Sequence, residues 1–308
     1  MVRLDSQLPV PADLRGAILA LGNFDGFHLG HQAVVGEAVR WAEAEGRPAI
    51  VATFDPHPRR FFVPDAPWFR LTTLDQREAL FAAAGAAAML VIRFDAAVAA
   101  MTGPEWIAQM LHARFGVAGV VTGEDFTFGR DRSGTTAVLA ESGAQYGVAA
   151  RAVGPVLDAG LPVSSTRIRA ALEAGDCATA TRLLSRPFTV QGKVQHGDKL
   201  GRTIGFPTAN LPMGHYLRPR YGIYAVRGRL PDGRVLDGAA NLGVRPSFDP
   251  PKELLEPHFF DFAEDLYGQD IAVEFHAFLR PEAKYDGLAA LTAAIAADCA
   301  RARAVLAG

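Results

Sequence analysis

The sequence predicts two domains: a doubly wound α/β domain, then an antiparallel β-sheet or barrel closed by a terminal helix. Three observations carry this. At 308 residues the chain exceeds one ordinary domain. Up to about residue 184, five apolar strand-like runs alternate with helical patterns, as in a parallel sheet with crossover helices. Beyond Pro187 the alternation gives way to strand-rich segments separated by short turns.

In chain order, the strand-like runs are "AILALG" at 17–22, "PAIVATF" at 48–54, "AMLVIRF" at 88–94, "AGVVTG" at 118–123 and "GVAARAV" at 147–153. Helical patterns fill the gaps at roughly 30–45, 75–86, 103–115 and 135–145, and "TGPE" predicts a capping box of Thr102 with Glu105. A further helical stretch covers roughly 166–184, and the domain boundary falls at Ser185 to Pro187, giving domains 1–185 and 186–308. In the second domain "RPFTVQGKV", "GIYAVRGRLPDGRVLDGAANLG" and "LEPHFFDF...LYGQDIAVEFHAFL" read as strands broken at turns such as "PDG" and "YGQD". An alanine-rich helix from an Asp286 N-cap to about Val305 ends the chain.

Composition narrows the function classes. With 49% hydrophobic and 21% charged residues, and no apolar run near the ~20 residues that span a bilayer, the chain reads as a soluble globular protein without a membrane partner. The first residues lack a secretory pattern, and Cys177 and Cys299 are too few for a disulfide framework, so the expected home is the cytoplasm. A formal net charge of -2 and no evident basic patch give no reason to expect a nucleic-acid partner; self-association is left open.

The chemistry concentrates in "GNFDGFHLGH" at 22–31, predicted at the carboxyl end of the first strand, where open parallel sheets bind ligands. Gly22, Gly26 and Gly30 admit close backbone approach, and the following helix start offers N-H groups and a positive dipole end to a phosphate. The spacing is neither the dinucleotide fingerprint nor the Walker loop, which counts against a nicotinamide dehydrogenase. His28 and His31, three apart, can face one side of a first helical turn and donate to one polyphosphate. A purely structural turn and a two-histidine metal site are the alternatives, the latter short of a third ligand.

The turn resembles the HxGH signature of the nucleotidyltransferase superfamily, in the form found in bacterial bifunctional riboflavin kinase/FAD synthetases. "TFDPHP" at 53–58, "TGEDFTFGRDRSG" at 122–134, "SSTRIRAAL" at 164–172, "GDKLGRTIGFPTANL" at 197–211 and "LEPHFFDFAEDLYGQDIAVEFHAFLRPE" follow in that family's order, so the resemblance spans nearly the whole chain. It implies a Rossmann-like N-terminal domain that adenylylates FMN to FAD, releasing pyrophosphate, and a riboflavin-kinase-like barrel that phosphorylates riboflavin to FMN. It also implies ATP as co-substrate of both reactions, Mg2+ as cofactor, and FMN and FAD as substrate or product.

The resemblance implies His28 and His31 as catalytic phosphate ligands and Gly22, Asn23, Phe24, Asp25 and Gly30 as the rest of that ATP loop; Asn23 and Asp25 would either order the loop or meet nucleotide. Ser164, Ser165, Thr166, Arg167 and Arg169 form a second anion cradle, or a plain helix cap with exposed arginines. Phe54, Pro56, His57, Pro58, Asp125, Phe126 and Phe128 offer a flavin surface, although core packing explains the phenylalanines too. In the second domain Glu256 of "E-x-H" is the implied general base, with Pro257 unusual beside it and predicting an edge or bulge. The resemblance implies Thr208 and Asn210 of "PTAN" as Mg2+ donors, a plain Thr or Asn turn being the alternative, and Gly197, Lys199, Gly201 and Arg202 as a phosphate loop, or else a solvated hairpin tip. Asn241 and Arg245 complete the flavin set. Ser185 stands where the family usually has glycine and Ser247 where it has threonine.

Overall fold

A computed structural model describes residues 1–196, 201, 204–245 and 252–308, except the side chains of Arg245 and Lys252. Its contacts divide the chain into two compact units. One comprises Met1–Pro67 and Thr73–Ser164, the other Trp68–Thr72 and Ser165–Gly308.

The first unit contains β1 (Val2–Asp5), β2 (Ile18–Leu21), α1 (Leu29–Glu45), β3 (Ala49–Asp55), α2 (Pro58–Phe62), α3 (Leu74–Ala83), β4 (Ala88–Arg93), α4 (Ala96–Ala100) and α5 (Gly103–Trp106), the last prolonged by a π-helical stretch (Ile107–Phe115). It continues through β5 (Gly119–Gly123), α6 (Thr136–Ala144), β6 (Ala149–Val153) and a small hairpin of β7 (Leu157–Asp158) and β8 (Leu161–Pro162). Six strands form an all-parallel sheet in the order β1-β4-β3-β2-β5-β6. Alternate residues of β2 serve opposite cores: Leu19 and Leu21 join Trp106, Leu111 and Phe115 on one face, while Ile18 and Ala20 join Val35 and Phe81 on the other. The five expected strands are present. The expectation missed β1, a four-residue edge strand with only Leu4 buried, which carries too little apolar pattern to be seen.

The chain steps outward from β2 to β3 and β4, then crosses to β5 on the other side of β2. The strand order therefore reverses between β2 and β5, and their carboxyl ends flank the crevice where ligands of doubly wound sheets lie. The "GNFDGFHLGH" turn leaves β2 and the "GEDFTFG" loop leaves β5. The capping box of Thr102 with Glu105 is formed in both directions.

The second unit begins with α7 (Ser165–Ala174) and α8 (Cys177–Leu184), and continues with β9 (Phe188–Lys193), β10 (Leu211–Pro212), β11 (Gly222–Arg229), β12 (Val235–Arg245), β13 (Lys252–Phe259), β14 (Asp270–Arg280) and α9 (Leu288–Leu306). The single helical stretch expected at 166–184 is split because Gly175 takes φ 84°, after which Asp176 caps α8 by accepting from Thr179 N. The antiparallel order β10-β13-β12-β11-β14-β9 nearly closes into a barrel, since Gln195 just past β9 bridges Asn210 just before β10. Its interior holds Phe188, Val190, Tyr224, Val226, Leu242, Leu255, Val273 and Phe275, all no more than 2% exposed. Outside, Ala225 and Ala239 pack against Cys299, Ala302 and Leu306 of α9. Gly287, at φ 101°, precedes that helix and makes no side-chain cap, so Asp286 lies one residue outside the N-cap position assigned to it from sequence.

Candidate functional site

In the first unit the site is the turn between β2 and α1. Phe24, Gly26 and Phe27 all take positive φ (48°, 88° and 43°), a path that L-residues hold only when their surroundings fix it. Two groups of side chains do so. Phe24 and Phe27 are buried edge-on to Phe81 of α3, at ring-centroid distances of 5.8 and 5.1 Å. Beneath them Asp25 and Arg77, each 1% exposed, form an ion pair at 3.3 Å. Arg77 also donates to Thr53 Oγ1 at 3.0 Å and to the Asn23 carbonyl at 3.4 Å, and the Thr53 hydroxyl donates to the same carbonyl at 2.8 Å. Asp25 is thus tied into the loop's buried ion pair, and Phe24 contributes its ring to the core. Removing one partner of such a buried pair costs about 3–5 kcal/mol.

His28 is the N-cap of α1, its Nδ1 accepting from His31 N at 3.3 Å. An accepting Nδ1 puts the proton of a neutral imidazole on Nε2, which becomes a donor. The two imidazoles stack, centroids 3.6 Å apart and planes at 19°, with Phe24 edge-on to His31 at 5.2 Å. A Cβ on Gly30 would stand 3.2 Å from the His28 ring and 3.4 Å from the Val163 carbonyl, so this glycine leaves room for the imidazole. At the crevice itself, Asn23 Oδ1 and Thr122 Oγ1 are buried side-chain oxygens with no hydrogen-bond partner among the described residues. Buried polar atoms ordinarily have partners, so these two are exceptions among the described residues.

The expected flavin residues separate into two kinds. Phe54 and Phe128, for which flavin surface and core packing were both open, are 6% and 8% exposed and belong to the core cluster beneath β2 and β3. His57 caps α2, accepting from Arg59 N at 3.1 Å, and Pro58 is the first residue of that helix. Asp125 is exposed and Phe126 half-buried, its ring parallel to that of Phe128 at 5.9 Å. An aromatic group open to solvent that sequence reasoning did not single out is Phe62, 64% exposed, edge-on to Phe61 and Phe94. A lone "FF" after "PHPRR" carries no signal without the fold. Ser164 closes the first unit.

Ser165, Thr166, Arg167 and Arg169 open α7 of the second unit. Within that unit Arg169 donates to the Phe69 carbonyl at 2.9 Å and lies over the Phe69 ring.

In the barrel, "PTAN" is pinned from both sides. Ala209 N donates to the Pro257 carbonyl and Gln195 N to the Asn210 carbonyl, both at 2.9 Å, while His258 Nδ1 lies 2.8 Å from the Pro207 carbonyl. Thr208 lines a cavity of about 520 Å3 together with Val194, Pro257, Phe259, Leu266 and Tyr267. Asn210 is buried, and Gly201 packs so closely that a Cβ there would stand 2.3 Å from the Phe206 carbonyl and 3.6 Å from the Thr208 hydroxyl.

Glu256 is half-buried and pairs in register with Asn241 across β12 and β13. Because Leu242 and Leu255 point into the barrel, Asn241 and Glu256 share its outer face. Asn241 donates to Glu282 at 3.3 Å, and its buried Oδ1 is without a partner among the described residues. Glu256 is absent from the cavity's lining, although the next residue, Pro257, belongs to it. Pro257 sits in an unbroken register against β12, so of the two expectations, edge or bulge, the structure has the edge. Its carbonyl points to Ala209, so its missing N-H faces that same side, where β10 pairs only as far as Leu255. Gly197, Lys199, Arg202 and Ser247 lie outside the described residues, as does the side chain of Arg245.

The FAD synthetase family model matches residues 10–167 and the riboflavin kinase model residues 184–306. The bifunctional riboflavin kinase/FMN adenylyltransferase of Pseudomonas fluorescens is 40% identical over 294 residues, covering 95% of this chain and 94% of that protein. The protein of the same description from Escherichia coli K12 is 37% identical over 93% of this chain and 92% of its own length. A crystal structure described as a macrolide-efflux protein from Streptococcus pneumoniae matches over 97% of both chains, with a TM-score of 0.85 and 29% identity. No helix among the described residues of the present chain is long and apolar enough to cross a membrane. The chain belongs to the family of bifunctional riboflavin kinases/FMN adenylyltransferases.

Proposed function

We propose that this chain makes FAD from riboflavin in two steps, with the domain boundary at 185/186. The C-terminal domain phosphorylates riboflavin to FMN and the N-terminal domain adenylylates FMN to FAD. The observation that carries the reading is one chain holding both architectures, each matched by its own family model, with phosphate-suited groups at the switch point of the first and a cavity beside Thr208 in the second.

In the first reaction an FMN phosphate oxygen attacks the α-phosphorus of ATP and pyrophosphate leaves. The nucleophile is already an anion, so the protein must align the reactants and offset charge. His28 and His31 donate to the phosphates, Gly22 and Gly30 let the backbone approach, and Ser164 offers a hydroxyl to the departing phosphates. Phe126 and Phe62 supply apolar surface for the isoalloxazine ring, supported by their exposure.

In the second reaction the 5'-hydroxyl of riboflavin attacks the γ-phosphorus of ATP, and Glu256 takes its proton as general base. Asn241 orients the flavin from the same face. Thr208 and Asn210 suit Mg2+, since neutral hard oxygens leave the charge balance to ATP phosphates. The ion, when bound, neutralises charge developing on the transferred phosphoryl group. Gly201 keeps the Thr208 hydroxyl accessible, and Gly197, Lys199 and Arg202 complete the phosphate loop. We assign the chain to the cytoplasm, supported by two buried cysteines that form no disulfide.

The test is a time course of flavin-free protein with riboflavin, ATP and Mg2+, the flavins separated by chromatography. FMN followed by FAD is expected. FMN alone overturns the N-terminal assignment, and FAD only from added FMN overturns the C-terminal one.

A further inference from the structure

We infer that Arg77 is a positioning residue for adenylyl transfer, setting the place of Asn23 and, through the turn, of the two histidines. The inference rests on the adenylyltransferase reading of the first unit. Arg77 lies on α3, and its side chain is buried under a turn more than fifty residues earlier in the chain. Its guanidinium holds three groups there: Nη2 meets Asp25 Oδ1 at 3.3 Å, and Nη1 reaches Thr53 Oγ1 at 3.0 Å and the Asn23 carbonyl at 3.4 Å. The Thr53 hydroxyl closes the ring by donating to that carbonyl at 2.8 Å.

This ring grips the turn at its first bend. Asn23 precedes Phe24, the first residue at positive φ, and the path through Phe24, Gly26 and Phe27 delivers the chain to His28 at the head of α1. With the Asn23 carbonyl fixed from below, its side-chain Oδ1 is buried at the crevice, where no described residue satisfies it. An ion pair alone would tolerate any buried cation. The planar fork of arginine meets acceptors in different directions at once, which a single ammonium cannot do. The arrangement therefore separates charge compensation, which lysine can supply, from positioning, which it cannot.

Arg77→Lys and Thr53→Val test this in the full-length protein. For Arg77→Lys we expect kcat of FMN adenylylation to fall about 100-fold, the cost of misplacing reacting groups by about 1 Å. KM for FMN should stay within about two-fold, because the flavin surface is untouched, and phosphorylation of riboflavin by the same sample should be unchanged. Thr53→Val removes the relay without touching a charge, and should show the same pattern at about ten-fold. It decides the matter if the lysine variant does not fold. Adenylylation kcat within two-fold of wild type in both variants overturns the inference, as does a parallel fall of both activities with the melting temperature. A wild-type chain that makes no FAD from supplied FMN overturns the adenylyltransferase reading itself, and this inference with it.

Discussion

The two reaction sites are built in opposite ways. In the first unit the functional turn is anchored from within: its backbone runs through three positive-φ residues, and buried aromatic rings and a buried Asp25–Arg77 pair hold it there. In the second unit the candidate base is a half-buried glutamate on an outer strand face, and the rigid part is the neighbouring "PTAN" segment, tied by backbone bonds to Gln195 and Pro257. The difference suits the chemistry proposed for each. A phosphate nucleophile arrives ionised, and histidines and backbone that receive charge must be held in place in advance. An alcohol arrives protonated and needs a carboxylate with access to its proton, which forbids deep burial of that carboxylate in an ion pair.

Two substitutions break this comparison most sharply. Glu256→Gln removes the proposed base and should lower riboflavin phosphorylation about 10²–10⁴-fold while FMN supplied to the same protein is still converted to FAD. His31→Ala should do the reverse, lowering adenylylation about 10²–10³-fold, the scale of losing one oriented donor, with phosphorylation intact. Steady-state assays of both reactions on each variant decide the point. If either substitution removed both activities in a folded protein, the two-site assignment would fail.

What could be read from sequence was what depends on neighbours along the chain. The glycines and histidines of the first turn, the Thr102 cap, and the five long strands follow from local spacing, and the structure has them. Arg77 was invisible because its meaning lies in a residue on another element: in "LDQREAL" it reads as a solvated helix charge, yet it is 1% exposed. Phe54 and Phe128 allowed two readings, ligand surface or core, and only the fold shows both rings buried in the core. For Pro257 sequence left an edge and a bulge open, because it does not say which side of a strand the missing N-H faces; the side without a ladder partner decides for the edge.

Alkaline pH should separate the units by stability. Burial pushes the thiol of Cys177 up to about 12 and that of Cys299 to about 11, both from 9.0. Burial, then the bond to Glu253, raises Tyr221 to about 12, and burial raises Tyr224 further. All four belong to the second unit. In each the folded state favours the neutral form, so its contribution is complete below the unfolded pKa and is lost as pH rises toward the folded value. Between pH 9 and 11 riboflavin phosphorylation should therefore be lost at a lower temperature than adenylylation, measured as residual activity after brief heating. Equal losses at every pH would show that these groups do not govern the stability of the second unit. The same shifts leave both thiols un-ionised at pH 8, where iodoacetamide should modify neither in the native chain.

The smallest expected effect concerns Ser185, which ends α8 in the left-handed region, φ 61° and ψ 15°. A side chain there costs about 1–2 kcal/mol, which glycine avoids. Glycine gives back about 0.5–1 kcal/mol through the greater freedom of its unfolded chain. It also loses the bond that the serine hydroxyl donates to the Leu184 carbonyl at 2.6 Å. The hydroxyl would otherwise be hydrated, so that last loss is modest. Ser185→Gly should thus stabilise the second unit by about 0.5 kcal/mol, an upward shift of about 1–3 °C in its melting transition, with neither kcat altered. A fall in melting temperature would mean that the hydroxyl's bond outweighs the backbone strain, and that serine is preferred here for its side chain.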